Sequence, residues 1–389
     1  MNKKAIAILG GIFILIIGTL GILIYSRSSS TQNPDTEQSV VENNTENSSQ
    51  NTEPNPTTTP VTTQDKIHKL TDDQVISPVL TFEGDGVAYF TKQGLLYRAS
   101  FVGGSNPLQI GEKKQLAIEQ KTNLNKVIWP PNTQDFMLEY LNGAKKTYEF
   151  YNNEQGKFSL LPQEVYSLSY LPTGNKIYYV WSSQNGNDTV NVSDPNTENY
   201  KTLGEIWDKN AMVYVSPDGM NVAYYKDPAT VSGAVNPLVL TDTEGKTWKK
   251  ISGGFVKGIL WSPDGKKLLF SKQDPSTQKF QLWIYDLYTE DVRNLGLDTT
   301  PDKAVWALDN QTIYAAVPFT QTAQNSGLTL DTFYKLSLQT LQATQYQSGD
   351  KQIDGEDLFL NHTQNNPTAD KLFFRNGQDG GLYYLDLNQ

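Results

Sequence analysis

A short apolar strand that runs into a Ser-Pro-Asp-Gly turn and leaves it as a second strand occurs twice in full, at 216–219 and 262–265. Pro263 pre-sets φ in the second copy, Asp264 can bond its local backbone, and Gly265 is free to take positive φ. The stretch 258–296, GILWSPDGKKLLFSKQDPSTQKFQLWIYDLYTEDVRNLG, reads as four strands joined by turns: GILW, KLLFSK, QLWIYDL and DVRNL. A lone meander of this size cannot bury both of its faces. It needs copies of itself on either side.

The chain supplies those copies. Aligned on the residue at the Pro263 position, they fall at Gly84, Pro131, Pro172, Pro217, Pro263, Leu308 and Pro367. The spacing is about 41 to 47 residues, with about 59 before the last copy, in the range of propeller blades. Second strands recur as VAYFTK, DFMLEYL, KIYYVW, NVAYYK, KLLFSK, TIYAAV and KLFFRN, all rich in β-branched and aromatic residues. The expected fold class is all-β, a seven-bladed β-propeller of four-stranded antiparallel blades over residues 65–389. In such a ring both faces of a strand pack on neighbouring blades, which is why GILW and KVIW are apolar at consecutive positions. The seventh copy ends at its third strand, GLYYLDL, while DKIHKLT at 65–71 matches a fourth strand, with Ile67 and Leu70 at the places of Val292 and Leu295. The ring is therefore expected to close by pairing 66–71 with the last blade.

With SPDG, the following KKLLF and the downstream LWIYDL, the chain resembles the TolB-type, WD-like propeller repeat, also seen in the propeller domains of prolyl oligopeptidase and dipeptidyl peptidase relatives. The resemblance runs from Lys66 to the C-terminus. It is specific for a fold, because the same repeat serves scaffolds, enzyme lids and a few enzymes. There are two departures. The TolB propeller is six-bladed with a separate N-terminal domain, whereas seven units are counted here; and no residues remain for the hydrolase domain of the peptidases. What the resemblance implies is an extracytoplasmic interaction platform.

Ahead of the repeats, residues 5–25 carry no charge, about the length a helix needs to cross a bilayer. A signal peptide would have a shorter apolar run and a small-x-small cleavage site, and only Ser26 and Ser28 offer a poor match. Residues 1–26 are therefore read as a retained transmembrane signal-anchor. Lys3 and Lys4 against the lone Arg27 place the N-terminus inside. Residues 27–64 are polar and acidic and hold too little apolar surface to fold, so they are expected to form a disordered linker. The sequence thus predicts a single-pass protein of the cytoplasmic membrane with an extracytoplasmic propeller, in the periplasm or at the cell surface.

A net charge of −10 disfavours nucleic acid as a partner, since phosphate contacts need a basic face. With no cysteine, thiolate metal sites, cysteine nucleophiles and disulfides are excluded. No GxSxG elbow accompanies a histidine base, because GGSN at Gly103 and ISGG at Ile251 do not fit. The two histidines are expected about 14 Å apart, His68 on an outer strand and His362 near the start of the innermost strand of the same blade. They could not share a metal. Asp85, Asp218 and Asp264 belong to repeated turns, and Asp242, Asp286 and Asp386 to third-strand ends, so their recurrence follows the repeat. DPNTEN at Asp194 and DTEGK at Asp242 lack the ligand series of a calcium loop. No catalytic, cofactor or metal residue is assigned. Trp129, Trp261 and Trp306, with Phe82 and Tyr170, are read as one packing position between blades.

What breaks the repeat is more informative. The loops joining second to third strands at 227–236, 273–279 and 318–331, with the inter-blade stretches 102–125 and 346–356, are expected to gather on one rim. Their polar content suits a wet contact, and Asp227, Val231, Val235, Asp274, Phe319 and Leu328 are the candidate partner-binding residues. The expected function is a cell-envelope scaffold or receptor, binding another envelope or surface protein or a glycan without catalysis. One alternative is a carbohydrate-active enzyme with carboxylates at the channel mouth, and another is a structural spacer.

Overall fold

The computed structural model describes residues 66–388 apart from 131–133, 144, 207–208, 231–235, 246–247, 322–327, 347–351 and 363–367. The predicted span at 5–25 and linker at 27–64 lie outside the described residues. Among the described residues no helix is long and apolar enough to cross a membrane.

Seven four-stranded sheets follow one another along the chain. Six are continuous in sequence: blade 1 at 75–115, blade 2 at 124–160, blade 3 at 165–206, blade 4 at 211–252, blade 5 at 256–294 and blade 6 at 304–346. Blade 7 takes three strands from 355–386, and its fourth is Ile67–Thr71 from the other end of the chain. Ile67 lies opposite Leu385 and His68 opposite Tyr384, with the His68 ring stacked 4.9 Å from that tyrosine. The expected closure is what the sheet order shows.

The interior divides into seven apolar clusters, one at each junction between blades. Second strands sit deepest and feed two junctions at once. Tyr178 and Val180 pack toward blade 4, while Ile177 and Tyr179 of the same strand pack toward blade 2. The innermost strand of blade 5 does the same, with Ile259 and Trp261 facing blade 4 and Leu260 facing blade 6. The junction of blades 7 and 1 holds Leu382 with Val75, Val87 and Tyr89, so the ring has no open side. Truncating a fully buried ring such as Phe270 would cost about 3–5 kcal/mol.

The SPDG turns lock as expected. The Asp264 carboxylate accepts from the Ser262 hydroxyl at 2.6 Å and from the Lys266 N–H at 3.1 Å; Asp218 does the same for Ser216 and Met220. Gly84, Gly174, Gly219 and Gly265 all have φ of 70–74° at the last turn position, and Asn310 fills it in blade 6 at 55°. Trp129, Trp261 and Trp306 donate their indole N–H groups to carbonyls of the preceding blade, those of Ser77, Tyr214 and Leu260.

Three expectations need correction. Phe82 is not in the tryptophan position but is 74% exposed. In blade 1 the turn bond from Gly84 N–H reaches Thr81, as Gly265 reaches Ser262, so Phe82 occupies the proline place and Leu80 the tryptophan place. Without a proline to mark the turn, the sequence alignment slipped there by two residues. His362 follows the innermost strand Gly355–Leu360 and does not precede it. Residues 102–125 are not one inter-blade stretch, because Ile110–Gln115 is the fourth strand of blade 1. Since antiparallel strands alternate in direction, the loop at 102–109 lies on the rim opposite the second-to-third loops.

Candidate binding rim and channel mouth

Each innermost strand starts on the rim where the second-to-third hairpins turn. Backbone bonds join the two features in several blades, as from Asp227 N–H to Asn210 and from Gln273 N–H to Phe255. Of the candidate residues, Asp227 is on blade 4, Asp274 on blade 5, and Phe319 and Leu328 on blade 6, so the rim carries them on consecutive blades. Val231 and Val235 lie outside the described residues.

Asp227 faces inward. Its carboxylate accepts from the Tyr166 hydroxyl at 2.9 Å and lies 3.7 Å from the Lys146 ammonium, and it caps the Ala229 N–H at 2.9 Å. Burial first, and then this carboxylate, hold the Tyr166 hydroxyl well above its ordinary pKa. Asp274 instead closes its own loop, accepting from the Ser276 hydroxyl and the N–H groups of Ser276 and Thr277. Those bonds pull its pKa down to about 2.

Blade 6 has the longest hairpin strands among the described residues. Its central hairpin, Thr312–Gln321 and Thr329–Ser337, keeps its ladder to the pair Gln321 and Thr329. Pro318 pairs with Asp331 and Thr320 with Leu330, leaving Phe319 as an extra residue in a bulge, 64% exposed. Leu328, beside it, is half-buried.

The base of that hairpin is braced by a buried ionic network. Lys303, on the short helical turn Pro301–Lys303, places its ammonium 2.6 Å from Asp331, 2.5 Å from Asp354 and 3.0 Å from the Thr329 hydroxyl. Both carboxylate side chains are fully enclosed, at 0% and 1% exposure. The Thr329 hydroxyl donates to Asp331 at 2.6 Å, and the Gly355 N–H donates to the same carboxylate at 2.8 Å. A side chain at Gly377 would meet Asp354 at 2.6 Å, so the backbone needs glycine there. Burial opposes the charge on Lys303, but the two aspartates outweigh it and raise its pKa.

Glu356, on the innermost strand of blade 7, pairs with Arg375, whose Nε is 3.1 Å from Asp357. Asp357 sits in the strand bulge at φ 50°. Burial raises the Glu356 pKa against the pull of Arg375. Asp331, Asp354 and Glu356 lie within the stretches 318–331 and 346–356 named from sequence, but neither they nor Lys303 and Arg375 were singled out individually. The five come from four separate chain segments, and the one local signal is the acidic run Asp354-Gly355-Glu356-Asp357.

No protein-family model matches the chain, and no curated protein sequence matches it. Its likeness to known proteins lies in the fold. Oligogalacturonate lyase from Vibrio parahaemolyticus superposes with a TM-score of 0.58 at 13% identity, covering 85% of this chain and 95% of that one. A GH74 enzyme from Niastella koreensis superposes at 0.54 and 13% identity, over 83% of this chain and 54% of that one. TolB from Acinetobacter baumannii aligns at 0.44 and 16% identity, over 69% and 62%. The chain is a seven-bladed propeller with such proteins among its structural neighbours, and at these identities the likeness extends to architecture alone.

Proposed function

We propose that this chain is a binding propeller of the cell envelope, held outside the cytoplasmic membrane by an anchor at 1–26 and a tether at 27–64, and that its rim docks another envelope or surface protein. The observation that carries the reading is Phe319. A large apolar ring 64% exposed on the long hairpin of blade 6, with a base fixed by Lys303, Asp331 and Asp354, has the composition and rigidity of an interface anchor. A structural spacer has no use for it. Asp227, held to Tyr166 of blade 3 and Lys146 of blade 2, and Asp274, closing its own loop, act here as supports for the contact surface.

Cross-linking capture from detergent-solubilised membranes with the full chain as bait tests this. One stoichiometric protein, captured by the parent and lost with Phe319→Asp, supports docking at the rim; equal capture by both chains overturns it.

The enzyme reading is favoured by one feature, the Glu356 carboxyl with its raised pKa at the channel mouth. The two better superposing neighbours are a lyase and a GH74 enzyme, so the architecture accommodates catalysis. Turnover of a polysaccharide by the parent and its loss in Glu356→Gln would put this reading first.

A further inference from the structure

A cleft of about 460 Å³ runs along the flank of blade 3 on the side that faces blade 2. This is within the roughly 300–1,000 Å³ typical of ligand clefts. The outermost strand of blade 2, Lys157–Leu160, carries Ser159 opposite Phe150. Phe150 packs into the junction with blade 3.

The floor is the cross-strand pair Tyr179 and Asn191, 2% and 3% exposed. Trp181, paired with Thr189, walls one end, and Tyr200, 69% exposed, walls the other beside Thr202. The polar groups are wired to one another. Asn191 Nδ2 donates to Thr189 Oγ1 at 2.9 Å and Thr202 Oγ1 donates to Asn191 Oδ1 at 2.7 Å. That wiring fixes the amide and leaves the Thr189 hydroxyl proton to donate outward and a Thr202 lone pair to accept. Although 19% of the chain is charged, no lining side chain is.

We propose that this cleft binds a neutral oligosaccharide. Trp181 and Tyr200 offer ring faces to the apolar C–H faces of sugar rings, and Thr189 and Thr202 meet their hydroxyls, the combination of flat apolar surface and neutral hydrogen-bonding that a pyranose presents. An acidic sugar would enter a chain of net charge −10 and find no cation in the lining. A peptide adding as a strand would need an open sheet edge, and the cleft presents a sheet face. A second cleft of about 340 Å³ begins across one turn: Asp194, Pro195 and Asn196 line it, and Thr197 lines the first. This second cleft carries two carboxylates, Asp194 paired with Lys176 at 2.6 Å and Asp135 accepting from the Asn153 N–H at 2.7 Å. Together the two clefts suit a ligand of several rings.

The test is calorimetric titration of the full chain, in a detergent without a sugar head group, with cellohexaose, maltohexaose and chitohexaose, read in parallel by tryptophan fluorescence. Saturable binding of at least one is expected, weakened about tenfold by Tyr200→Ala. Thr202→Val is a second variant, which deletes one hydroxyl and keeps the shape; thermal melts confirm that both variants fold. The proposal is overturned if none of the three saturates by about 10 mM, if both variants bind as the parent does, or if a galacturonate hexamer binds more tightly than the neutral sugars.

Discussion

Lys69 donates to Asp379 at 2.8 Å, joining two residues 310 positions apart in the chain. The same ammonium lies 2.6 Å from Asp72 and 5.6 Å from the centre of the Tyr383 ring. It marks where the first strand is laid against the last three. Much more than this pair holds the strand, since Ile67 is fully buried with Leu385 and Phe374. Deleting 66–71 should therefore lower the melting temperature sharply, while deleting 28–63 should leave it nearly unchanged. Lys69→Ala should cost no more than about 1 kcal/mol, because the pair is partly exposed and screened. Circular-dichroism melts of the three variants decide, and equal effects of the two deletions would count against closure by the first strand.

The Lys303 ammonium lies between two enclosed carboxylates, those of Asp331 and Asp354. Lys303→Met removes it and strands Asp331 and Asp354, and should cost about 3–5 kcal/mol. Adding Asp331→Asn and Asp354→Asn to that change should recover part of the loss. The pKa of Lys303 is raised above its ordinary 10.5, so its contribution is complete below that value and is lost as pH climbs through the raised one. Parent stability should show an alkaline decline that Lys303→Met lacks. Denaturant melts from neutral pH upward would show whether the two profiles separate.

Asp274 has the opposite sign. Its pKa, lowered to about 2 from 3.8, means that its bonds to the Ser276 and Thr277 N–H groups persist above 3.8 and are lost as pH falls toward 2. Amide resonances of Ser276 and Thr277 should shift across that window and hold still above it. A midpoint at the ordinary aspartate value would show that the loop is open in solution.

Phe82 and Trp261 were aligned by sequence and separated by structure. Phe82→Ser should change stability by less than about 0.5 kcal/mol, since the ring is exposed, while Trp261→Ala should cost about 3–5 kcal/mol through a cavity and a lost indole bond to Tyr214. Comparable losses at the two sites would restore the register that the turn bonds contradict.

Gly265 combines φ of 70° with a Cβ position 2.9 Å from the Asp218 carboxylate of the neighbouring blade. Gly265→Ala should be destabilising by about 1–3 kcal/mol from both backbone and contact. Gly296, also at positive φ but with nothing nearby, should lose only the backbone part on the same change. Matched losses in the pair would mean that the turns of blades 4 and 5 do not touch.

The repeat period, the strand pattern and the fragment left over at each end were sufficient to read the blade number and the closing strand, because each rests on local chemistry repeated many times: turn residues, apolar runs, spacing. Where a copy lacks its turn proline, as at Phe82, that redundancy fails and the register slips. Only the folded ring decided the rest. Lys303 and Asp331 meet Asp354 because blades 6 and 7 are neighbours, and no spacing within either segment foretells those ion pairs, whereas Glu356 and Arg375 stand opposite each other on adjacent strands of blade 7. The flank cleft of blade 3 is assembled from side chains on three of its strands and from Pro162 in the segment joining it to blade 2. Side chains that act across a junction are chosen by the partner surface, and a linear pattern carries no record of what stands opposite.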